Sequence, residues 1–351
     1  MRLGVLDIGS NSAQLQVVDV VPGAPPLPAH AVKKPTLLGE EILPDGSLSK
    51  AGTERVADAV GRAVTAAGRH QVDQLYPFVT AAVRDATNRD EVIDRIEAVS
   101  GVRPQFLTGE QEARLTYLAA HRWYGWSAGR LLLIDIGGGS MELVLGRDAE
   151  PELAISLPLG AGRLTRAFLA GDPPTRGQLK ALRRHVRETL CEVADRLRWE
   201  GVPRRSVGTS KTFKQLARLG GAPPQRKGPF VRRTLRHREL HRWASRLCQM
   251  PASERAGLRG VSRSRARQIA AGAMVADATM STLDVKSLEI CPWALREGIM
   301  LRHLEAIAEP AGLPLQPLTR AGAEPDRAPD RTESPIAPVA PFTPRLERQA
   351  T

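Results

Sequence analysis

The sequence predicts an α/β protein built of two homologous lobes, and three observations carry that prediction. The first is an internal similarity. LGVLDIGSNSAQLQVV at 3–18 resembles LLLIDIGGGSMELVLG at 131–146, each an apolar run, then D-I-G-x-x-S, then an alternating strand. Asp7, Gly9 and Ser12 map onto Asp135, Gly137 and Ser140 at a constant offset of 128 residues, too long for a solenoid repeat. The second is an alternation of strand and helix signals, which argues for a mixed sheet in each lobe. The third is composition: of 351 residues, 42% are hydrophobic and 25% charged, ordinary for a soluble globular chain with core enough for two units. Aromatics at 4% leave that core to Leu, Val, Ile and Ala. The lobes are expected over 1–125 and 126–308, followed at 309–351 by a Pro-rich tail too poor in apolar residues to fold.

Taken in order, each lobe opens with a β-hairpin whose tight turn is rich in small residues. Ser49 is placed to cap a helix through TERVADAVGRAVTAAG, apolar at 56, 59, 60, 63 and 64. YPFVTAAVRDATN reads as a buried strand running into a turn, and RDEVIDRIEAVSG as a helix. Thr108 caps the next helix, through EQEARLTYLAAHRWYG. The second lobe continues with a charged helix near 175–199, the strand RSVGT, the helix KTFKQLARLG and a helix around 264–280. The strand SLEI precedes a last helix from about 293 to 308, which is expected to pack back on the first lobe.

No run approaches the roughly 18–20 apolar residues of a membrane span, and MRLGVLDIGSNS turns polar too soon for a secretory leader. A cytoplasmic protein without membrane contact is therefore expected. Cys191, Cys248 and Cys291 are odd in number and widely spaced, which predicts buried, reduced residues rather than disulfides or zinc ligands. The net charge of +12 is uneven: −2 over 1–125, +15 over 126–305 and −1 thereafter. A lobe this basic attracts a polyanion. RKGPFVRRTLRHRELHRWASR at 226–246, with ten Lys, Arg or His against one Glu, offers a stripe whose binding would be salt-dependent. Sparse aromatics argue against stacking on bases, so no specific nucleic acid is expected. His237 and His241, spaced i, i+4, lack a third metal ligand.

The two D-x-G-x-x-S hairpins carry the chemistry. Glycines at a tight turn let backbone N–H groups converge into a concavity for phosphate oxygens, and the Ser hydroxyl adds a donor. An Asp beside those oxygens is tolerated when a cation accompanies it, Mg²⁺ being the usual one. Two such hairpins face to face would clamp one phosphate group from both sides.

Together with TAAVRDATN at 80–88, TGEQEARL at 108–115 and CPWALREG at 291–298, the hairpins resemble the exopolyphosphatase / guanosine pentaphosphate phosphohydrolase family. The match follows the family's order over about 1–306 and is most similar to its short, two-domain actinobacterial members. The resemblance implies two actin-like (sugar kinase, Hsp70 and ribonuclease H-like) lobes around an interlobe cleft. It implies hydrolysis of the terminal phosphate of inorganic polyphosphate, or alternatively of guanosine pentaphosphate or another nucleotide, with Mg²⁺ or Mn²⁺ as cofactor and a homodimer as the assembly. It assigns Glu112 as the base for the attacking water, whereas Glu110 reads as a first-turn carboxylate favoured by the helix dipole.

By the same resemblance Asp135 is the metal ligand, assisted by Glu142. Gly137, Gly138, Gly139 and Ser140 cradle the terminal phosphate opposite Gly9, Ser10, Asn11 and Ser12, and Arg84 neutralises its charge. Asp7, Lys211 and Arg265 are expected in supporting roles. The chain departs from the family at Met141, where Thr is usual, at Arg267, where an acid is common, and at Lys211, where Gly is frequent. A Lys at 211 crowds a purine pocket and suits a further phosphate, which favours polyphosphate over a guanosine substrate. A non-catalytic polyphosphate sensor is the reading from another class, and the presence of both Glu112 and Asp135 argues against it.

Overall fold

Strand β1 (Arg2–Ile8) is apolar on both faces, and helices cover both of them. In the computed structural model, which describes residues 1–21 and 24–307, it lies at the centre of a five-stranded sheet. One edge of β1 pairs antiparallel with β2 (Ser12–Asp19), and β2 with β3 (His30–Pro35). The other edge pairs in parallel with β4 (Gln74–Val79), and β4 with β5 (Gln105–Phe106), giving the order β3-β2-β1-β4-β5. Helix α1 (Lys50–Arg69) starts where Ser49 Oγ accepts the Gly52 N–H, and sets Val56, Val60 and Ala63 against Leu6, Ile8 and Leu15. The single turn α2 (Ala81–Arg84) leaves the end of β4. Helix α3 (Arg89–Ser100) stops at Gly101, whose φ of 71° belongs to the left-handed region. Helix α4 (Gly109–Tyr124) begins with a capping box: Thr108 Oγ1 accepts the Gln111 N–H, and the Gln111 side chain accepts the Thr108 N–H.

The second sheet repeats the first. It contains β6 (Leu131–Ile136), β7 (Met141–Gly146), β8 (Leu153–Leu157) and β9 (Arg205–Gly208), then β10 (Thr234–Arg236) and β11 (Ser287–Ile290). Its order is β10-β11-β9-β6-β7-β8; without the edge strand β10, the antiparallel trio and the two parallel strands match the first sheet one for one. The register matches too: Asp7 stands opposite Gln14, and Asp135 opposite Glu142. This is an α/β architecture of two like mixed sheets, as the internal similarity of the sequence predicts. Around the second sheet lie α5 (Ala161–Phe168), α6 (Arg176–Trp199), α7 (Ser210–Leu219), α8 (His237–Gln249), α9 (Ala252–Gly257) and α10 (Ile269–Thr282).

Two helices tie the sheets together. Although α4 follows the first sheet in sequence, its Ala113, Tyr117 and Ala120 pack with Leu131, Leu133 and Val144 of the second. Helix α11 (Leu295–Ile307) lays Ile299 and Met300 against Leu3, Val5 and Phe78 of the first sheet, and also packs along α4. At that crossing a Cβ on Gly298 would lie 1.9 Å from the Leu115 carbonyl oxygen, so only glycine permits the approach.

The helix expected at 264–280 begins later, at Ile269, after a 3-10 turn at 263–265. The guanidinium of Arg255, 1% exposed, takes the carbonyls of Ala266 and Arg267 at 2.8 and 3.0 Å, the acceptors an earlier helical turn would have used. Cys248 and Cys291 are buried, but Cys191 is exposed on α6, contrary to expectation. The tail at 309–351 lies outside the described residues. No helix among the described residues is long and apolar enough to cross a membrane.

Candidate active site

The two hairpin turns meet at the mouth of a cleft of about 260 Å³ between the sheets. Each turn closes in the same way, Gly9 N–H donating to Ser12 O at 3.1 Å and Gly137 N–H to Ser140 O at 2.9 Å. In each, neighbouring groups hold the turn's carbonyls. Thr36 Oγ1 donates to Gly9 O, Leu38 N–H to Ser10 O and Thr36 N–H to Asn11 O. On the second lobe the start of α5 does the same work: Ala161 N–H donates to Gly137 O, the Gly162 and Arg163 N–H groups to Gly138 O, and Arg163 Nε to Gly139 O. A planar trans peptide points the next N–H away from such a tethered carbonyl. Both turns therefore direct successive N–H groups away from their tethers. The turns are also close to their surroundings. A Cβ on Gly138 would fall 2.2 Å from Ser10 Oγ, and one on Gly139 2.5 Å from Ala81 Cβ.

Four carboxylates line this cleft: Asp7, Glu112, Asp135 and Glu142. Glu112, 6% exposed on the first turn of α4, is pushed up to about 9 by burial and then by repulsion from Glu142, which together outweigh the pull of Arg84. Burial and the charge of Asp135 carry Glu142 up to about 8, although its Oε1 accepts the Ser156 hydroxyl at 3.1 Å. Burial likewise raises Asp7, and raises Asp135 although its Oδ2 accepts the Thr209 hydroxyl at 2.5 Å. Cations face them: Lys33, Lys211, Lys214, Arg265 and Arg296 line the same cleft. Burial lowers Lys211, with help from Arg265, and lowers Lys214, whose Nζ donates to Pro292 O at 2.9 Å. Arg296 Nη1 lies 3.7 Å from Asp7 Oδ2.

Every site residue expected from the sequence lines the cleft except Arg84. Its guanidinium donates instead to Glu112 Oε1 at 2.6 Å, to Asp85 Oδ1 at 2.8 Å and to Leu107 O at 3.2 Å. Asp85 Oδ2 in turn accepts Arg163 Nη2 at 2.6 Å, the same Arg163 that holds Gly139 O. A continuous polar chain thus runs from Glu112 through Arg84, Asp85 and Arg163 to the second hairpin turn. Met141 points into the core of the second lobe. Glu110 pairs with Arg114 on the exposed side of α4. His237 and His241 both bond the Asp277 carboxylate, at 3.0 and 3.1 Å, and line a separate surface cavity.

Sequence reasoning missed Lys33, Lys214, Arg296, Asp85 and Arg163. Lys214 carried a signal, standing one helical turn after Lys211. Arg296 and Asp85 sit inside the motifs already singled out. Lys33, on a strand with no motif, carried none.

Among the described residues no group of three or more His, Cys, Asp or Glu side chains is disposed to enclose a metal. Asp135 and Glu142, opposite each other on β6 and β7, do offer the oxygen donors that suit a hard cation completing its shell with water and phosphate. Burial first, and for Glu142 then the charge of Asp135, raises these two carboxyls, and a cation bound between them would favour their ionised forms.

The profile of the Ppx/GppA phosphatase family matches residues 17–307. The chain is 47% identical to Exopolyphosphatase 1 of Mycobacterium tuberculosis over 313 residues, 89% of this chain and 91% of that protein. It is 45% identical to Exopolyphosphatase 1 of Mycobacterium leprae over 313 residues, 89% and 92% of the two chains. Among solved structures, the Ppx/GppA family member of Aquifex aeolicus superposes with a TM-score of 0.71 at 26% identity, covering 88% of this chain and 99% of that one. An exopolyphosphatase from Cytophaga hutchinsonii, at 22% identity and a TM-score of 0.80 over 88% and 99%, shares the fold.

Proposed function

The chain belongs to the Ppx/GppA phosphatase family, and from that membership we propose that it removes the terminal phosphate of inorganic polyphosphate by hydrolysis. The observation that carries the reading is the pairing of two tethered hairpin turns with one buried carboxylate, Glu112, on the wall between them. The terminal phosphoryl group sits between the turns, where backbone N–H groups and the Ser10, Ser12 and Ser140 hydroxyls meet charge as it spreads over its oxygens. Lys33, Lys211, Arg265 and Arg296 balance the charge of the chain that enters with it.

Glu112 takes the proton of the water that attacks in line, and Arg84 orients the Glu112 carboxylate through their 2.6 Å contact. In this reading Arg84 acts on the base and not on the phosphate. A base must be ionised, and a pKa of about 9 leaves Glu112 largely protonated in the empty cleft. Burial is the larger cause of that shift and repulsion from Glu142 the next, and positive charge beside Glu142 offsets the second and favours the ionised base. Mg²⁺, or Mn²⁺ in its place, would be held by Asp135 and Glu142, and when bound supplies charge neutralisation to the phosphoryl oxygens.

Phosphate release by the purified protein with Mg²⁺ tests the proposal, with polyphosphate, guanosine pentaphosphate and ATP compared at matched concentrations. Release from polyphosphate above the nucleotides, abolished in Glu112→Ala with polyphosphate binding retained, is the expected result. Preference for guanosine pentaphosphate would reassign the substrate, and an active Glu112→Ala would remove the base.

A further inference from the structure

A second cavity, of about 380 Å³, opens directly off the cleft and shares Lys211 and Lys214 with it. Half of its ten lining residues are cations, Lys211, Lys214, Arg218, Arg226 and Arg259, and none is acidic. Its arrangement follows from the sequence of α7: positions 211, 214 and 218 fall at i, i+3 and i+7, one stripe of a helix.

The cavity is built, not merely charged. Gly260 has a φ of 104°, and a Cβ there would lie 2.3 Å from Arg218 Cγ, so the Arg218 side chain lies across a bare backbone. Its Nη1 is fixed on Ala222 O at 2.8 Å. The loop that carries Arg226 is held from beneath by Arg233, 4% exposed, which donates to the carbonyls of Pro223, Pro224, Gly228 and Val231 at 2.7–3.0 Å. Gln215, 1% exposed, donates Nε2 to Ser262 Oγ, while its Oε1 has no partner among the described residues.

We propose that this cavity is a subsite for the internal phosphates of a linear polyphosphate whose end lies between the hairpins. The chain leaves the cleft over Lys211 and Lys214 and lies against Arg218, Arg226 and Arg259. The inference rests on the polyphosphate reading above. A cavity with five cations and no aromatic side chain matches a repeating anion, and offers a purine ring nothing to stack on. Contacts remote from the reacting phosphorus bind substrate and transition state alike, so they act on KM and leave kcat unchanged.

The test compares long-chain polyphosphate with tripolyphosphate in wild type and in the double variant Arg226→Ala/Arg259→Ala, both residues being exposed. Arg62→Ala/Arg69→Ala, which removes the same charge from exposed positions on α1, is the control. The subsite predicts that KM for the long chain rises about tenfold in the first variant, with kcat and tripolyphosphate turnover within about twofold of wild type. The salt dependence of long-chain binding should flatten as well. An equal rise in the control would reduce the effect to net charge and overturn the subsite. So would equal losses on both chain lengths, or a loss confined to guanosine pentaphosphate, which would assign the cavity to a nucleoside. Should wild type release no phosphate from either polyphosphate, the hydrolase reading fails by itself. Long-chain polyphosphate binding, measured by anisotropy with wild type and both variants, then decides the subsite, and undiminished binding in the first variant overturns it.

Discussion

Replacing Glu112 by Gln should make the metal-free protein more stable above neutral pH while removing its activity. Folded, Glu112 titrates at about 9 against an ordinary 4.5. The unfolded chain gives up this proton from about pH 4.5, whereas the folded one keeps it until about 9. The raised pKa therefore contributes stability that is fully present below pH 4.5 and lost as pH rises through that window. The slope is roughly 1.4 kcal/mol per pH unit, so the Glu112 side chain alone costs roughly 2.7 kcal/mol between pH 6 and pH 8. Gln has no proton to lose and is spared that cost. Were Glu112 ionised in the fold instead, its 2.6 Å contact with Arg84 would be a buried ion pair, and breaking one usually costs about 3–5 kcal/mol. Urea titrations in EDTA at pH 6, 7 and 8 separate the two. The stability of Glu112→Gln relative to wild type should climb by roughly 1.4 kcal/mol per pH unit. A variant less stable than wild type at pH 8, or a difference independent of pH, would show that the Arg84 ion pair dominates and that the desolvation argument is wrong.

Three further expectations follow from the same geometry. A Cβ on Gly160 would lie 2.2 Å from Gly139 C and 2.4 Å from Ser140 N, so Gly160→Ala must displace the second turn. It should lower the unfolding free energy by about 1–3 kcal/mol and phosphate release by about a hundredfold, checked by urea melts and a phosphate assay. Asp85→Asn loosens Arg84 and Arg163 together, and should lower kcat by about ten- to a hundredfold with KM within threefold. A rise in KM alone would mean that Arg84 contacts substrate. EDTA should stop phosphate release and added Mg²⁺ restore it, with Asp135→Asn shifting the Mg²⁺ titration to higher concentration; unchanged turnover in EDTA would count against a metal at this site.

What the sequence made legible was local. The hairpin turns are specified by Asp7 to Ser12 and Asp135 to Ser140, within one stretch of backbone each, so their chemistry can be read in place. The caps at Ser49 and Thr108 are local for the same reason. What stayed hidden depends on partners distant in sequence. The start of α10 is moved by Arg255, eleven residues before Ala266. Arg84 reads as a phosphate ligand until the fold brings Glu112, 28 residues on, to within 2.6 Å of it. The packing of α4 on the second sheet leaves no mark in the α4 pattern, since an apolar stripe says that a helix is covered and not by which sheet. The basic second cavity lies between these cases. The stripe on α7 is visible in KTFKQLAR, but Gly260 and Arg233, which shape the cavity around it, come from other segments.

That packing of α4 has a mechanical corollary. Glu112 rides with the second sheet through Ala113 and Tyr117, whereas Arg84 rides with the first through β4. Their contact links an element packed on the second sheet to one carried by the first, and a shift between them would remove together the burial that raises the Glu112 pKa and the Arg84 charge that lowers it. Burial is the larger of the two effects, so separating these elements would also relieve the Glu112 carboxylate of its main reason to hold a proton. Both sheets therefore have a hand in where this one carboxylate stands and what surrounds it.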